Sequence, residues 1–288
     1  MQNRLYLILF CAGLAFACHG DVYVLDAQSR EDASHDYFVQ LLQFSLDKST
    51  PEYPADKVKI ITADTTTQGR NLRLLKEDYI DVLWTGTSQK REQELLPVRI
   101  PLFQGMLGYR IAIIHKDNLD SFKSLNEVQL KQKLMCQGAH WPDSDILEFN
   151  QYQVVRVARY ELMFKMLNQK RCDLFPRAIY EGYAELTRAK SQYPDLVMLD
   201  DFLLHYDFPM YFFVNKQNTR LAQQIEFGLR KALKDGSWLE WMKKHPMTAP
   251  LFPLTKWQDK RFYRLLNPTL PGETPVDDDL LWLKLNKK

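Results

Sequence analysis

From position 21 onward the chain alternates between two hydrophobic periods. "VYVL" (22–25) is a short apolar run of strand type, while "DYFVQLLQFSL" sets Phe38, Leu41, Leu42, Ser45 and Leu46 on one helical face. "KVKII" (57–61) predicts the next strand, and "TTTQGRNLRLLK" a helix capped by a threonine and carrying Leu72 and Leu75 inward. "IDVLW" (80–84) is almost wholly apolar, as expected of a strand buried on both faces. "TGTSQKREQELL" then turns at Gly86 into another helix. This β-α repetition predicts a mostly parallel sheet with helical crossovers.

The rhythm breaks at "PVRIPLFQGMLGYRIAII", where prolines and glycines surround a long strand, and then restarts. "SLNE" (124–127) has the spacing of a capping box, followed by the strand "KLMCQG" and the loop "AHWPD". "YQVVRV" reads as a strand and "RYELMFKMLNQ" as a helix with Met163, Phe164 and Leu167 inward. "CDLF" (172–175) is a strand that stops at Pro176, and the helix "AIYEGYAELTRAK" follows, then the strand "DLVML". "FPMYFFVNK" predicts another long strand, leading to a helix capped by Thr219 and stopped at Gly236, and to a last helix capped by Ser237. Beyond Pro246 the chain is proline-rich and without clear period, an extension wrapped on the surface.

Composition narrows the function classes. The 288 residues, 45% hydrophobic and 26% charged, suit one large domain or two lobes, and exclude a mainly disordered chain. A net charge of +2 without a dense basic block gives no electrostatic footprint for nucleic acid. The opening "MQNRLYLILFCAGLAFACHG" has one early arginine and an apolar run too short to span a bilayer, as a secretory signal would. Ala15 and Ala17 place cleavage before Cys18; a lipid-anchored Cys18 is the alternative, with Phe16 against it. The mature chain is thus expected in the periplasm. Of four cysteines only Cys136 and Cys172 remain outside that leader. They match no zinc motif, and both fall in predicted strands, where a bridge seldom finds its geometry. Free thiols are expected, with a bridge the alternative that an oxidising compartment would permit.

The order of elements, with the stretches "DVLWTGTSQKRE" and "YELMFKMLNQKRCDLFPR", resembles the periplasmic solute-binding proteins of the polar amino-acid type (family 3) that serve ABC transporters. The resemblance covers roughly residues 21–245. It implies an α/β, two-lobed periplasmic-binding-protein-like fold (type II), each lobe a mostly parallel sheet flanked by helices. Lobe 1 would comprise 21–112 and 212–245, lobe 2 113–211, with 1–20 the signal peptide and 246–288 the extension. Two crossing strands near 108–114 and 208–214 would join the lobes, with ligand trapped between. In that family a Thr-rich turn and a nearby arginine, here Thr85, Thr87 and Arg91, hold the ligand carboxylate. An aspartate normally follows the strand equivalent to "CDLF" and pairs with the ligand's amino group. Here that place holds Pro176 and Arg177, a donor instead of an acceptor; Glu181 is the acceptor nearby.

The residues themselves add candidates. Arg91 opens a helix after a strand-end loop, where backbone N–H groups already favour an anion and a guanidinium grips a carboxylate with two bonds. Arg177 either faces the cleft or forms a solvated couple with Glu181. Trp141 either stacks on ligand or packs under its loop, and His140 beside it is expected to be inert. Gln68, Arg70 and Asp26 follow strand ends on the cleft side of lobe 1; Tyr109 and Phe103 read as core. No catalytic or metal-binding signature is present, so no catalytic residue, metal or cofactor is expected. The expected function is closure on a small polar or anionic, amino-acid-like ligand, by a monomer serving an inner-membrane ABC permease or a sensor. An enzyme on the same scaffold, acting on a small carboxylated substrate, is the alternative.

Overall fold

The structure, a computed structural model, describes residues 20–27, 34–62 and 67–285; the expected signal peptide and Cys18 lie outside them. In chain order the strands are β1 (Asp21–Leu25), β2 (Lys57–Ile61), β3 (Leu83–Gly86), β4 (Leu96–Val98), β5 (Tyr109–His115), β6 (Leu134–Gly138), β7 (Gln153–Val157), β8 (Leu174–Ala178), β9 (Leu196–His205), β10 (Met210–Val214) and β11 (Arg261–Arg264). The α-helices are α1 (His35–Lys48), α2 (Gln68–Lys76), α3 (Gln89–Glu94), α4 (Leu119–Lys123), α5 (Glu127–Lys131), α6 (Pro142–Phe149), α7 (Glu161–Asn168), α8 (Gly182–Ala189), α9 (Thr219–Lys234) and α10 (Ser237–Lys244).

Alternation in β1 buries Val22 and Val24 while Asp21 and Tyr23 face out, and α1 turns Tyr37, Phe38, Leu41, Leu42 and Leu46 inward at the predicted spacing. β1 pairs parallel with β2, and β10 lies antiparallel between β3 and β4. The N–H groups of Asp81 and Val82 both donate to the Tyr23 carbonyl, so β1 runs beside the chain entering β3. These strands form the first lobe. The second is a six-stranded sheet in the order β11-β9-β5-β8-β6-β7. Both lobes are mixed rather than mostly parallel, because β5 and β10 arrive from the opposite lobe and run against their neighbours. The two connections cross at Gly108, whose carbonyl accepts from Tyr206 N at 3.2 Å. A Cβ at Gly108 would stand 2.0 Å from the Tyr206 carbonyl oxygen, so only glycine lets the backbones meet there.

Several local expectations shift. The capping box belongs to Asn126 and Gln129, while Ser124 caps the end of α4. Asn218 caps α9 in place of Thr219, and Gly236 precedes α10 in place of a Ser237 cap. Thr67 does cap α2. The "CDLF" strand does not stop at Pro176: β8 pairs with β5 through Ala178. A proline is tolerated there because β6 bonds β8 only at Met135↔Leu174, leaving no ladder donor to lose on that side. Cys136 and Cys172 are not free thiols but a disulfide with Cα atoms 5.7 Å apart. Cys172 lies just ahead of β8, not within it, so the bend entering the strand swings it against β6. Nor is the extension without elements: its β11 adds a parallel edge strand beside β9, and Leu281, Trp282 and Leu285 are buried.

At the meeting of β9, β5 and β11, His205 stacks on Tyr109 at 4.1 Å between ring centroids. Burial, aided by Arg264, pushes its pKa down to about 4. The unfolded chain therefore binds a proton that the folded one refuses between pH 6.5 and about 4, and stability is lost as pH falls through that window. Going from pH 7 to pH 5 should cost roughly 2 kcal/mol through this group alone. Urea unfolding of the native chain and of His205→Gln at both pH values checks it. A variant with the native pH slope would refute the assignment.

Candidate functional site

The sequence delivers its charges at strand ends and helix starts, and these converge between the two lobes. From the first lobe, β3 ends in Thr85 and Gly86, and Ser88 caps α3, accepting from Arg91 N. The first turn of α3 thus carries Arg91 back over the sheet edge. Its Nη1 donates to Thr85 Oγ1 at 2.9 Å and to the Gly86 carbonyl at 2.5 Å. Its Nη2 donates to Gln68 Oε1 at 2.6 Å and, across the cleft, to the His140 carbonyl at 3.1 Å. Burial lowers the Arg91 pKa to about 10, opposed by the charges of Asp143 and Asp145. Gln68, the first residue of α2, also donates to Thr85 Oγ1 at 3.1 Å.

The second lobe supplies a denser cluster. Arg177 sits on β8 and Glu181 and Glu185 on the start of α8, four residues apart and on one face. Arg177 Nε and Nη2 each donate to Glu185 at 2.6 Å, and Nη2 lies 2.8 Å from Glu181 Oε2. The guanidinium stands 5.0 Å from the Trp141 ring centre and 5.1 Å from that of Phe175. Arg110, on β5, is 2.5 Å from Asp143 Oδ1, which also accepts from Tyr206 Oη at 2.5 Å. Arg110 Nη1 is 3.8 Å from Glu181 Oε2, so both arginines reach the same carboxylate. Burial raises the Glu181 pKa first of all, and Arg177 works against that rise.

Of these groups the three arginines, the carboxylates of Asp143, Glu181 and Glu185, Gln68, Thr85 and Trp141 line one cavity of ≈ 130 Å³, with Phe38, Trp84, Leu107, Phe208 and Met210 as its apolar wall. At ~10–15 Å³ per water-sized sphere, that is room for a molecule of on the order of ten heavy atoms. Six sequence candidates line it together: Gln68, Thr85, Arg91, Trp141, Arg177 and Glu181. Three do not. Thr87 donates instead to Glu92, which is tied to Arg99; Arg70 points to solvent from α2; Asp26 is exposed and accepts from Ala27 N. Arg177 is buried, so it is no solvated couple of Glu181. Tyr109 and Phe103 are core, as expected. Sequence reasoning passed over Arg110, Asp143 and Glu185. Arg110 carried a signal, a lone charge inside the apolar strand "YRIAII". Asp143 and Glu185 looked like ordinary first-turn acids. Among the described residues no group of side chains is arranged to hold a metal ion, and no helix is long and apolar enough to cross a membrane.

No protein-family model and no curated protein matches this chain. Solved structures do. An ancestral arginine-binding protein bound to arginine superposes with a TM-score of 0.58 at 16% identity, covering 78% of this chain and 98% of that one. A histidine kinase sensor domain with similarity to periplasmic binding proteins gives 0.56 at 14% identity, covering 87% and 98%. An ancestral amino acid-binding protein, a precursor of cyclohexadienyl dehydratase, gives 0.54 at 14%, covering 78% and 94%. At such identities the likeness establishes architecture: the α/β periplasmic-binding-protein fold of type II.

Proposed function

We propose that this chain is an exported binding protein whose two lobes close on a small charged solute carrying both a donor and an acceptor group. One observation carries the reading: one cavity between the lobes receives charged side chains from both sheets, Arg91 on one side and the Arg110, Arg177, Asp143, Glu181 and Glu185 cluster on the other. Opposed walls of this kind bind by being brought together, which couples occupancy to hinge closure. The three guanidiniums and three carboxylates balance, which favours a zwitterion over a simple anion. The amino acid bound by the arginine-binding neighbour is a solute of that class, and the disulfide accords with a periplasmic location. An ABC permease is one recipient of the loaded form. A membrane sensor is the other, favoured by the larger share of this chain that the sensor domain matches.

Native mass spectrometry of protein purified from the periplasm, followed by calorimetry with a panel of amino acids and small carboxylates, tests the proposal. A saturable one-to-one ligand that lowers the radius of gyration is the expected result. Steady turnover of a bound carboxylate would instead establish the enzyme, and no binding across the panel with no co-purified molecule would defeat the reading.

A further inference from the structure

The extension after α10 does not stay on one lobe. β11 pairs with β9 of the second lobe, Leu265 N donates to the His205 carbonyl at 2.8 Å, and Leu266 exchanges two bonds with Asn150 at the end of α6 (2.7 and 3.0 Å). Asn267 Nδ2 then donates to the Asp207 carbonyl at 2.9 Å, while its Oδ1 accepts from Thr269 N at 2.9 Å and fixes the turn. Three residues after Leu266, the Thr269 carbonyl accepts from Gln89 N, the first residue of α3 in the first lobe, at 3.1 Å. Pro268 and Thr269 thereby stand at the outer mouth of the cleft with Arg91, His140 and Trp141.

We propose that residues 265–270 are a strap across the cleft edge, and that the lobes open fully only after Thr269 lets go of α3. The reach of the chain sets the limit. Three residue steps span at most about 10 Å when fully extended, so separating α6 from α3 beyond that breaks an anchor. The second-lobe anchors are a strand ladder and a reciprocal side-chain pair. The next first-lobe contact along the chain is the buried Thr274 beside Tyr211 of β10, but eight residue steps from Leu266 leave it about 27 Å of reach. After it come Leu283 N on the Gln104 carbonyl and Trp282 on Gly105, beside the crossing strands, where rotation moves atoms little. That leaves the Gln89–Thr269 bond as the one that yields. Its donor is a first-turn helix N–H that water can satisfy, so release shifts the open population by about the worth of one exposed hydrogen bond, roughly two- to tenfold.

The strap does not depend on what the cleft binds, and its test needs no ligand. Gln89→Pro removes the donor at a helix position where proline is well accommodated, after Ser88 in the extended backbone that proline requires. Asn267→Ala unfixes the turn and serves if the first variant fails to fold. Spin labels at the exposed positions Gln93 on α3 and Lys165 on α7 report the lobe separation in the full chain by pulsed electron resonance. The native chain should give a narrow distance distribution, and each folded variant should gain a longer component, about two- to tenfold more populated. A native distribution as broad as the variants', or variants as narrow as the native chain, would overturn the strap.

Discussion

Arg177→Met should cost the protein roughly 3–5 kcal/mol of stability, the penalty for removing one partner of a buried charge cluster. Arg177 is 8% exposed, and its guanidinium holds Glu185 with two bonds and Glu181 with a third contact. Without it, two buried carboxylates face each other four residues apart on α8. Burial already lifts Glu181, and loss of Arg177 removes the larger of the two charges that oppose that rise, leaving Arg110. A carboxyl whose folded pKa is raised destabilises the fold once pH exceeds its unfolded value, so the loss should be greatest at neutral pH and shrink on acidification. That is opposite in sign to the His205 effect. Arg177→Met/Glu185→Leu should regain much of the loss by removing the carboxylate with the two bonds. Urea unfolding at pH 7 and pH 5 measures all three chains. A loss below ~1 kcal/mol would mean that the arginine is effectively solvated.

Replacing both cysteines of the bridge with alanine should cost about 4 kcal/mol, from the loop entropy that a separation of 36 residues releases to the unfolded chain. The same loss should appear in the native chain on reduction, as a lower melting temperature, and vanish in the double variant. Thiol labelling of the unfolded, unreduced protein should leave both positions unmodified. Labelling at either would show that the bridge does not form. The location matters beyond stability. Cys136 lies on the strand that leads to Trp141, and Cys172 on the chain that leads to Arg177, so the bridge fixes the spacing of two cavity walls.

How legible this was from sequence divides along a physical line. Local periodicity located the elements: the inward face of α1 and the strand-loop-helix that presents Arg91 follow from residues near one another in the chain. Long-range partners were not legible. That Pro176 lies inside β8 depends on how far β6 runs alongside it. That Arg110 belongs to the site depends on Asp143 and Tyr206, distant in sequence. The disulfide turned on the path entering β8, and the strap on backbone bonds from a segment with no hydrophobic period. Thr87 shows the converse: a motif position can be right in type and still turn its hydroxyl to Glu92.

If the cleft binds as proposed, the bonding of Arg91 makes ligand capture an exchange, not an addition. Both terminal nitrogens are already spent, three bonds on their own lobe and one on the His140 carbonyl opposite. A carboxylate that takes both terminal nitrogens in a two-pronged grip must displace Thr85 or Gly86 from Nη1 and Gln68 or His140 from Nη2. The bonds that Arg91 already makes and those a bound anion would take therefore draw on the same protons, and affinity for anions would reflect a difference between two satisfied sets of bonds. Such a cleft would discriminate sharply by shape, because a poor fit recovers fewer bonds than it displaces.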